Sequence, residues 1–220
     1  MSNILKELNN PSIINNSISV VESIRSSFKR IPHNHINVLY ALKEIMKDDC
    51  KNYLEIGTLW GGSLGTVIQS PYPSNFYAID LFEGHNGEIN SIEIVKKTIS
   101  GLNKNNYNYE LIKGDCSVQE NIDLVKSKIP DGVDLFFIDG DHSTQAVIRD
   151  FNNYKDIVNP RGYVVFDDYG FLPEVKAAVD QMDFTEFEKI GRINLGEGSS
   201  NKNSLYLRDN LHSSYIIKKK

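Results

Sequence analysis

Five short apolar runs, four of them closing on or just before an aspartate, set the limits on what this chain can fold into. The runs are Tyr53–Gly57, Asn75–Asp80, Tyr107–Lys113, Val133–Asp139 and Gly162–Asp167. Apolar residues fall on both faces of each run, which suits strands of a parallel sheet covered by helices on two sides. Segments of helical period lie between them: Val118, Ile122, Val125 and Ile129, then Val147, Phe151, Tyr154 and Val158. Leu172, Val175, Val179 and Met182 predict a further helix, with Pro173 near its start. Phe187–Ile193 and Ser204–Arg208 are strand-like and flank the Gly/Ser/Asn-rich stretch 194–203, which reads as a hairpin. The expected architecture is α/β and doubly wound: five β-α units with right-handed crossovers, then the hairpin.

Residues 1–47 precede the first strand and read as helical. Ile14, Ile18, Val21 and Phe28 share one helical face, as do Val38, Leu39, Leu42, Ile45 and Met46, with Pro32 between the two stretches. Such an extension packs on the core, covers the site or pairs two copies into a homodimer. The division expected is a helical extension over 1–47, one α/β domain over 48–212, and a tail over 213–220. The closing run Lys218–Lys220 reads as a solvated, frayed end.

Charge and cysteine usage narrow the functional classes. A net charge of −5 argues against a nucleic-acid partner, which selects a basic face. No stretch approaches a membrane span, and the amino terminus lacks the charge-then-apolar pattern of a signal peptide. Cys50 and Cys116 are too few for a disulfide framework, so a reducing cytoplasm is expected.

The chemistry gathers at the carboxyl ends of the expected strands, the edge where open α/β sheets bind ligands. Asp80 ends the second strand, Asp115 follows the third, Asp139 ends the fourth, and Asp167-Asp168 ends the fifth. A single acid at a strand end is commonly a helix cap or turn former, but a set at successive ends points to a shared site. The first strand and its turn read Tyr-Leu-Glu-Ile-Gly-Thr-Leu-Trp-Gly-Gly-Ser over 53–63. Glycines at 57, 61 and 62 let backbone approach a ligand, but the spacing is not the G-x-G-x-x-G of dinucleotide sites. Glu55 would repel a pyrophosphate at this place and tolerates a cationic amino-acid ligand far better.

The Glu55–Ser63 segment resembles motif I of the class I S-adenosylmethionine-dependent methyltransferases. Asp80, 25 residues after Glu55, matches their ribose-binding acid, and Gly114-Asp115-Cys116 resembles the adenine-contacting segment. The resemblance runs over about residues 50–170. It implies a Rossmann-like, seven-stranded sheet with an antiparallel last strand. By analogy Glu55, Gly57 and Ser63 hold the methionine moiety, and Asp80 holds the ribose hydroxyls. Leu81 or Phe82 packs on adenine, and Asp115 and Cys116 meet its edge, with Asp139 also beside the cofactor.

The second half resembles the metal-dependent O-methyltransferases of the catechol and macrocin-like sugar types. Phe137-Ile-Asp-Gly-Asp-His142 is followed, 28 residues after Asp139, by Asp167-Asp168. The His142 and Asp-Asp combination matches the sugar type better, although the chain is short for that group. The resemblance implies that Asp139, Asp167 and Asp168 ligate a hard divalent cation, most simply Mg²⁺. His142, with an ordinary pKa of about 6.5, would take the hydroxyl proton. Two neighbouring hydroxyls chelate such a metal together, so a sugar or other small vicinal diol is the expected acceptor.

Competing readings are a metal-independent methyltransferase using His142 alone, a dinucleotide-dependent oxidoreductase, and a cofactor-binding module without turnover. Several residues carry bland expectations. Asp141 reads as a helix-start residue, Trp60 and Phe82 as core at even odds with ligand contact, and His33 and His35 as surface or lid positions. Glu83, His85 and Glu88 read as an exposed connection, with a wall of the substrate pocket or a second acid–base group as the alternative.

Overall fold

The computed structural model describes residues 3–27, 36–84, 88–195 and 212–220. Three helices come first: α1 (Asn3–Leu8), α2 (Pro11–Ser27) and α3 (Asn37–Met46). Then follow β1 (Asn52–Ile56), α4 (Gly62–Val67), β2 (Asn75–Asp80), α5 (Ile92–Leu102) and β3 (Tyr109–Lys113). The second half holds α6 (Gln119–Lys128), β4 (Val133–Ile138), α7 (Thr144–Tyr154), β5 (Val158–Phe166) and α8 (Pro173–Gln181). Two strands close the chain, β6 (Phe187–Ile193) and β7 (Ser214–Lys219).

The seven strands lie in the order β3-β2-β1-β4-β5-β7-β6. Strands β1 to β5 are parallel, and β7 runs antiparallel to both of its neighbours. This is the Rossmann-like sheet expected, with direction of winding reversing between β1 and β4. A reversal of that kind opens a crevice at the carboxyl edge, because the two flanking loops leave toward opposite faces.

Two apolar clusters sandwich the sheet, as strands apolar on both faces require. Along β4, Leu135 and Phe137 join the cluster under α1 to α5, while Phe136 and Ile138 join the one under α6 to α8. The amino-terminal helices share the first cluster: Leu8, Ile24, Leu39 and Leu42 pack with Tyr53 and Leu64. Lys43 is buried at the foot of α3, where its ammonium donates to the carbonyls of Lys47 and Cys50 at 3.1 Å each. Burial lowers its pKa.

Three sequence expectations change. The closing residues are not a frayed tail but β7, seated between β5 and β6. Its centre is apolar on both sides, Ile216 entering one cluster and Ile217 the other, both fully buried. The lysines that suggest a solvated end extend along it, with Lys218 lying over the Tyr163 ring. Val158 opens β5 after a 3-10 turn rather than ending α7. Helix α5 was not foreseen, although Ser91 caps it by accepting from the Ile94 amide and Val95, Ile99 and Leu102 mark its buried face. It packs against α4 at Gly65, where a Cβ would come within 2.4 Å of Leu102 Cδ1. Ser204–Arg208, Phe28 and Pro32 lie outside the described residues.

Replacing Ile217 by alanine should therefore lower the unfolding free energy by about 2–4 kcal/mol in a urea titration. A frayed end would leave the midpoint unchanged.

Candidate active site

The crevice between β1 and β4 is a pocket of about 500 Å³ that runs from the Gly57 turn to His142. Gly57 has φ +81°, and a Cβ there would lie 2.0 Å from the carbonyl oxygen of Asp139. Only glycine lets the β1 turn and the β4 end meet this closely. The Gly57 amide donates to Ile79 O and the Asp139 amide to Ile56 O, each at 2.9 Å, so three strand ends are tied together.

Asp80 organises the turn. One carboxylate oxygen accepts from the amides of Thr58 and Leu59 at 2.8 and 2.9 Å, and the other accepts from Phe82 at 2.6 Å. Its oxygens keep acceptor capacity beyond these bonds, since a carboxylate offers about four lone-pair sites. Phe82 has φ +51° and is buried in the core, whereas Leu81 is half-exposed and lines the pocket. Of the two, Leu81 is the one available to a ligand.

Asp115 also lines the pocket and is held low by the hydroxyl and amide of Ser117, at 2.7 and 2.8 Å. The Cys116 thiol points away, donating to Asp150 at 3.4 Å, and burial with the Asp150 charge pushes it up to about 12. Glu55 and Ser63 do not line the open pocket; both are buried beneath it. Glu55 Oε2 accepts from the Tyr53 phenol at 2.6 Å, while Glu55 Oε1 and the Thr58 hydroxyl are buried without hydrogen-bond partners. Burial pushes Glu55 up to about 7, against the pull of the nearby Thr58, Tyr53 and Ser63 hydroxyls.

At the other end of the pocket Asp139 lines the wall, and Asp167 and Asp168 stand near it without lining the pocket. Asp139 follows β4 and Asp167-Asp168 follows β5, the Asp167 amide donating to Ile138 O at 3.0 Å. Burial, and then the charge of Asp167, raise Asp139 well above the usual carboxylate range. His142 Nε2 lies 3.0 Å from Asp139 Oδ1. This hydrogen bond, opposed by burial and reinforced by the neighbouring carboxylates, pushes His142 up to about 9. The neighbouring carboxylates thus favour the protonated imidazole, where the sequence alone implied a substantially neutral base. His142 does not cap α7. Ser143 does, accepting from the Ala146 amide at 3.4 Å, and Asp141 supports the turn by accepting from Ser143 N at 2.8 Å.

A second histidine completes the cluster. His212 Nδ1 lies 3.2 Å from Asp168 Oδ1, its ring stacked on Phe171 with centroids 4.2 Å apart. Ser214, two residues on, reaches Asp167 Oδ1 at 3.4 Å. Nothing in the local sequence marks His212; it arrives because β7 inserts beside β5. Two of the three carboxylates are thus paired with histidine. Asp139, Asp167 and Asp168 supply oxygen donors of the kind that suit a hard cation. Among the described residues, however, no group of three or more His, Cys, Asp or Glu side chains is arranged to hold a metal ion.

Glu83 lines the pocket and is exposed, Glu88 is exposed, and Trp60 is half-buried. His33, His35 and His85 lie outside the described residues. A second cleft, of about 360 Å³, lies at the opposite edge among Glu7, Asp49, Asp134 and Arg161. There Asp134 is spent on backbone, accepting from the amides of Lys51 and Asn52 at 2.8 and 3.0 Å.

Residues 54–169 match the family described as "Methyltransferase domain". An uncharacterised protein of Acanthamoeba polyphaga mimivirus is 35% identical over 205 residues, 87% of this chain and 89% of that protein. Among solved structures, an O-methyltransferase from Bacillus cereus in complex with SAH superposes with a TM-score of 0.61 at 15% identity, over 96% of this chain and 92% of that one. An rRNA methylase from Streptococcus thermophilus gives 0.55 at 13% identity, over 84% and 96%. These likenesses establish a shared fold, and the fold alone does not choose the acceptor.

Glu55 supplies a pH test. Its folded pKa of about 7 lies above the 4.5 of a free side chain, so the fold favours the protonated form. Stability is then greatest below about pH 4.5 and falls as pH rises toward 7, by up to about 3 kcal/mol. Glu55→Gln should raise the melting temperature of the ligand-free protein at pH 8 and leave it unchanged at pH 4. Equal melting temperatures at both pH values would show that Glu55 is not destabilised by burial.

Proposed function

The chain belongs to the methyltransferase-domain family, and from that premise we propose that it moves the methyl group of S-adenosylmethionine to a hydroxyl of a small vicinal diol, such as a sugar. The observation that carries this reading is the acid-lined pocket at the β1/β4 reversal. Asp80, Glu83, Asp115, Asp139 and Asp141 line it, against Arg149 and His142. Such a pocket attracts a sulfonium cation and disfavours a polyanionic acceptor. The amino-acid end of the cofactor would sit at the Gly57 turn, its ammonium answering the unpartnered oxygen of Glu55. The ribose hydroxyls would meet Asp80, and the base would lie between Leu81 and the Asp115-Cys116 turn.

The acceptor then belongs beside Asp139 and His142. Asp139 fixes the His142 ring, and His142 takes the hydroxyl proton once it has lost its own. A divalent cation at Asp139, Asp167 and Asp168 would stabilise the developing alkoxide. With those carboxylate charges compensated, the interaction holding the proton on His142 weakens, and the imidazole returns toward its ordinary value of about 6.5. His212 holds Asp168 in place from the other side. The two thiols, Cys50 and Cys116, are unpaired, which fits the reducing cytoplasm in which we place the protein.

A second reading, methyl transfer without a metal, is favoured by one observation: His142 and His212 already pair with Asp139 and Asp168. Chelation separates the two. With catechol or a methyl glycoside as acceptor, dialysis against EDTA should cut turnover at least 100-fold, with recovery on adding Mg²⁺. Unchanged turnover would establish the metal-free reading. His142→Ala should cost about 10²–10⁴ in kcat under either. His212→Asn, which keeps a donor near Asp168, should retain far more activity than His212→Leu. Equal losses in the two His212 variants would remove the positioning role.

A further inference from the structure

The pocket wall contributed by α7 contains no apolar side chain. Leu81 enters from the connection leading to α5, which covers one face of the sheet, while α7 covers the other. On the α7 side Gly140 cannot carry a side chain without pressing on neighbours, since a Cβ would lie 3.1 Å from Ile56 Cγ2 and 3.4 Å from Asp150 Oδ2. The Cys116 thiol is turned toward Asp150. Ile56 and Ile79 also line the pocket, and Arg149 is the residue of α7 that does so.

Arg149 is held unusually firmly for a side chain that is 44% exposed. Its Nε and Nη2 both lie 3.2 Å from Asp150 Oδ1, which fixes the plane of the guanidinium against the wall. Asp150 itself is buried, with a side-chain exposure of 1%, and its second oxygen has no hydrogen-bond partner. A buried carboxylate at the root of an exposed guanidinium costs the fold desolvation energy, and the Arg149 charge offsets part of it. Asp115 and Asp141, held low first by Ser117 and Ser143, are lowered further by the Arg149 charge, and all three line the pocket. A planar cation with one face on solvent is a stacking surface for an electron-rich ring.

Resting on the cofactor reading above, we propose that Arg149 is the plate on which the flat base of the nucleoside cofactor stacks, clamped by Asp150 and facing Leu81. Arg149 is thereby a cofactor-binding residue and Asp150 a positioning residue acting through it. The guanidinium stacks on the base and also balances the acidic rim.

Calorimetric titration with two ligands tests the assignment: S-adenosylhomocysteine, and S-ribosylhomocysteine, which lacks the base. Arg149→Ala should weaken the first about 10-fold, in line with a stacking contribution of roughly one decade, and leave the second unchanged. Arg149→Lys, which keeps the charge and loses the plane, should not restore binding. Because Arg149→Ala strands a buried carboxylate, the double variant Arg149→Ala/Asp150→Asn serves as the folded control and should show the same ligand pattern. Equal weakening of both ligands would mean a general electrostatic effect and overturn the proposal, as would no weakening of either. Failure of the wild-type protein to bind S-adenosylhomocysteine at all would overturn the cofactor reading instead.

Discussion

Gly57 meets the backbone of Asp139 at a distance that no other residue permits, and the whole upper edge of the sheet is arranged around that contact. β1 and β4 are neighbours in space but far apart in sequence, and the turns that leave them depart toward opposite faces. Closing the gap between them places the Glu55–Ser63 turn directly against the end of β4 that carries Asp139. Asp80 then locks the same turn from the other side, its two oxygens shared among three backbone amides. The Gly57 and Asp139 ends of the pocket are thus one unit built on strand ends, and not a pair of separate loops.

Electrostatics gives this unit its direction. The pocket gathers more negative charge than its cations balance, and the imbalance is held in place by burial. Glu55 sits under the turn near neutrality, Asp139 is driven up by Asp167, and His142 is driven up by Asp139. Burial raises the cost of charge on Glu55 and Asp139, and a positive partner would relieve both, whereas the raised pKa of His142 reflects the carboxylates already beside it.

Much of this was legible in the chain because it depends on local rules. Strands buried on two faces announce themselves as apolar runs, and acids at their ends follow the strand boundaries to within two residues. The Glu55–Ser63 turn is readable because glycine spacing is a backbone requirement. What escaped notice depends on tertiary context. Leu81 and Phe82 are adjacent and both apolar, and only the left-handed backbone at Phe82 decides that its ring turns into the core. His212 has no local signature, since its place beside Asp168 comes from the insertion of β7 between β5 and β6. The terminal lysines disguised that strand, whose apolar centre is only three residues, Tyr215 to Ile217. Helix α5 hid behind a polar connection, though its serine cap and buried stripe obey ordinary helix rules. The perturbed state of His142 was out of reach for a different reason: a pKa belongs to the surroundings, and the sequence shows only the residue.

The central claim is that a sulfonium cofactor lies across the β1/β4 crevice with its reactive end at the carboxylate cluster. A crystal structure with S-adenosylhomocysteine bound tests it most directly. The account predicts ribose hydroxyls on Asp80, the amino-acid end at the Gly57 turn, and the sulfur facing Asp139 and His142. A ligand seated in the opposite cleft by Arg161, or lying in the crevice with its sulfur turned away from Asp139, would contradict it.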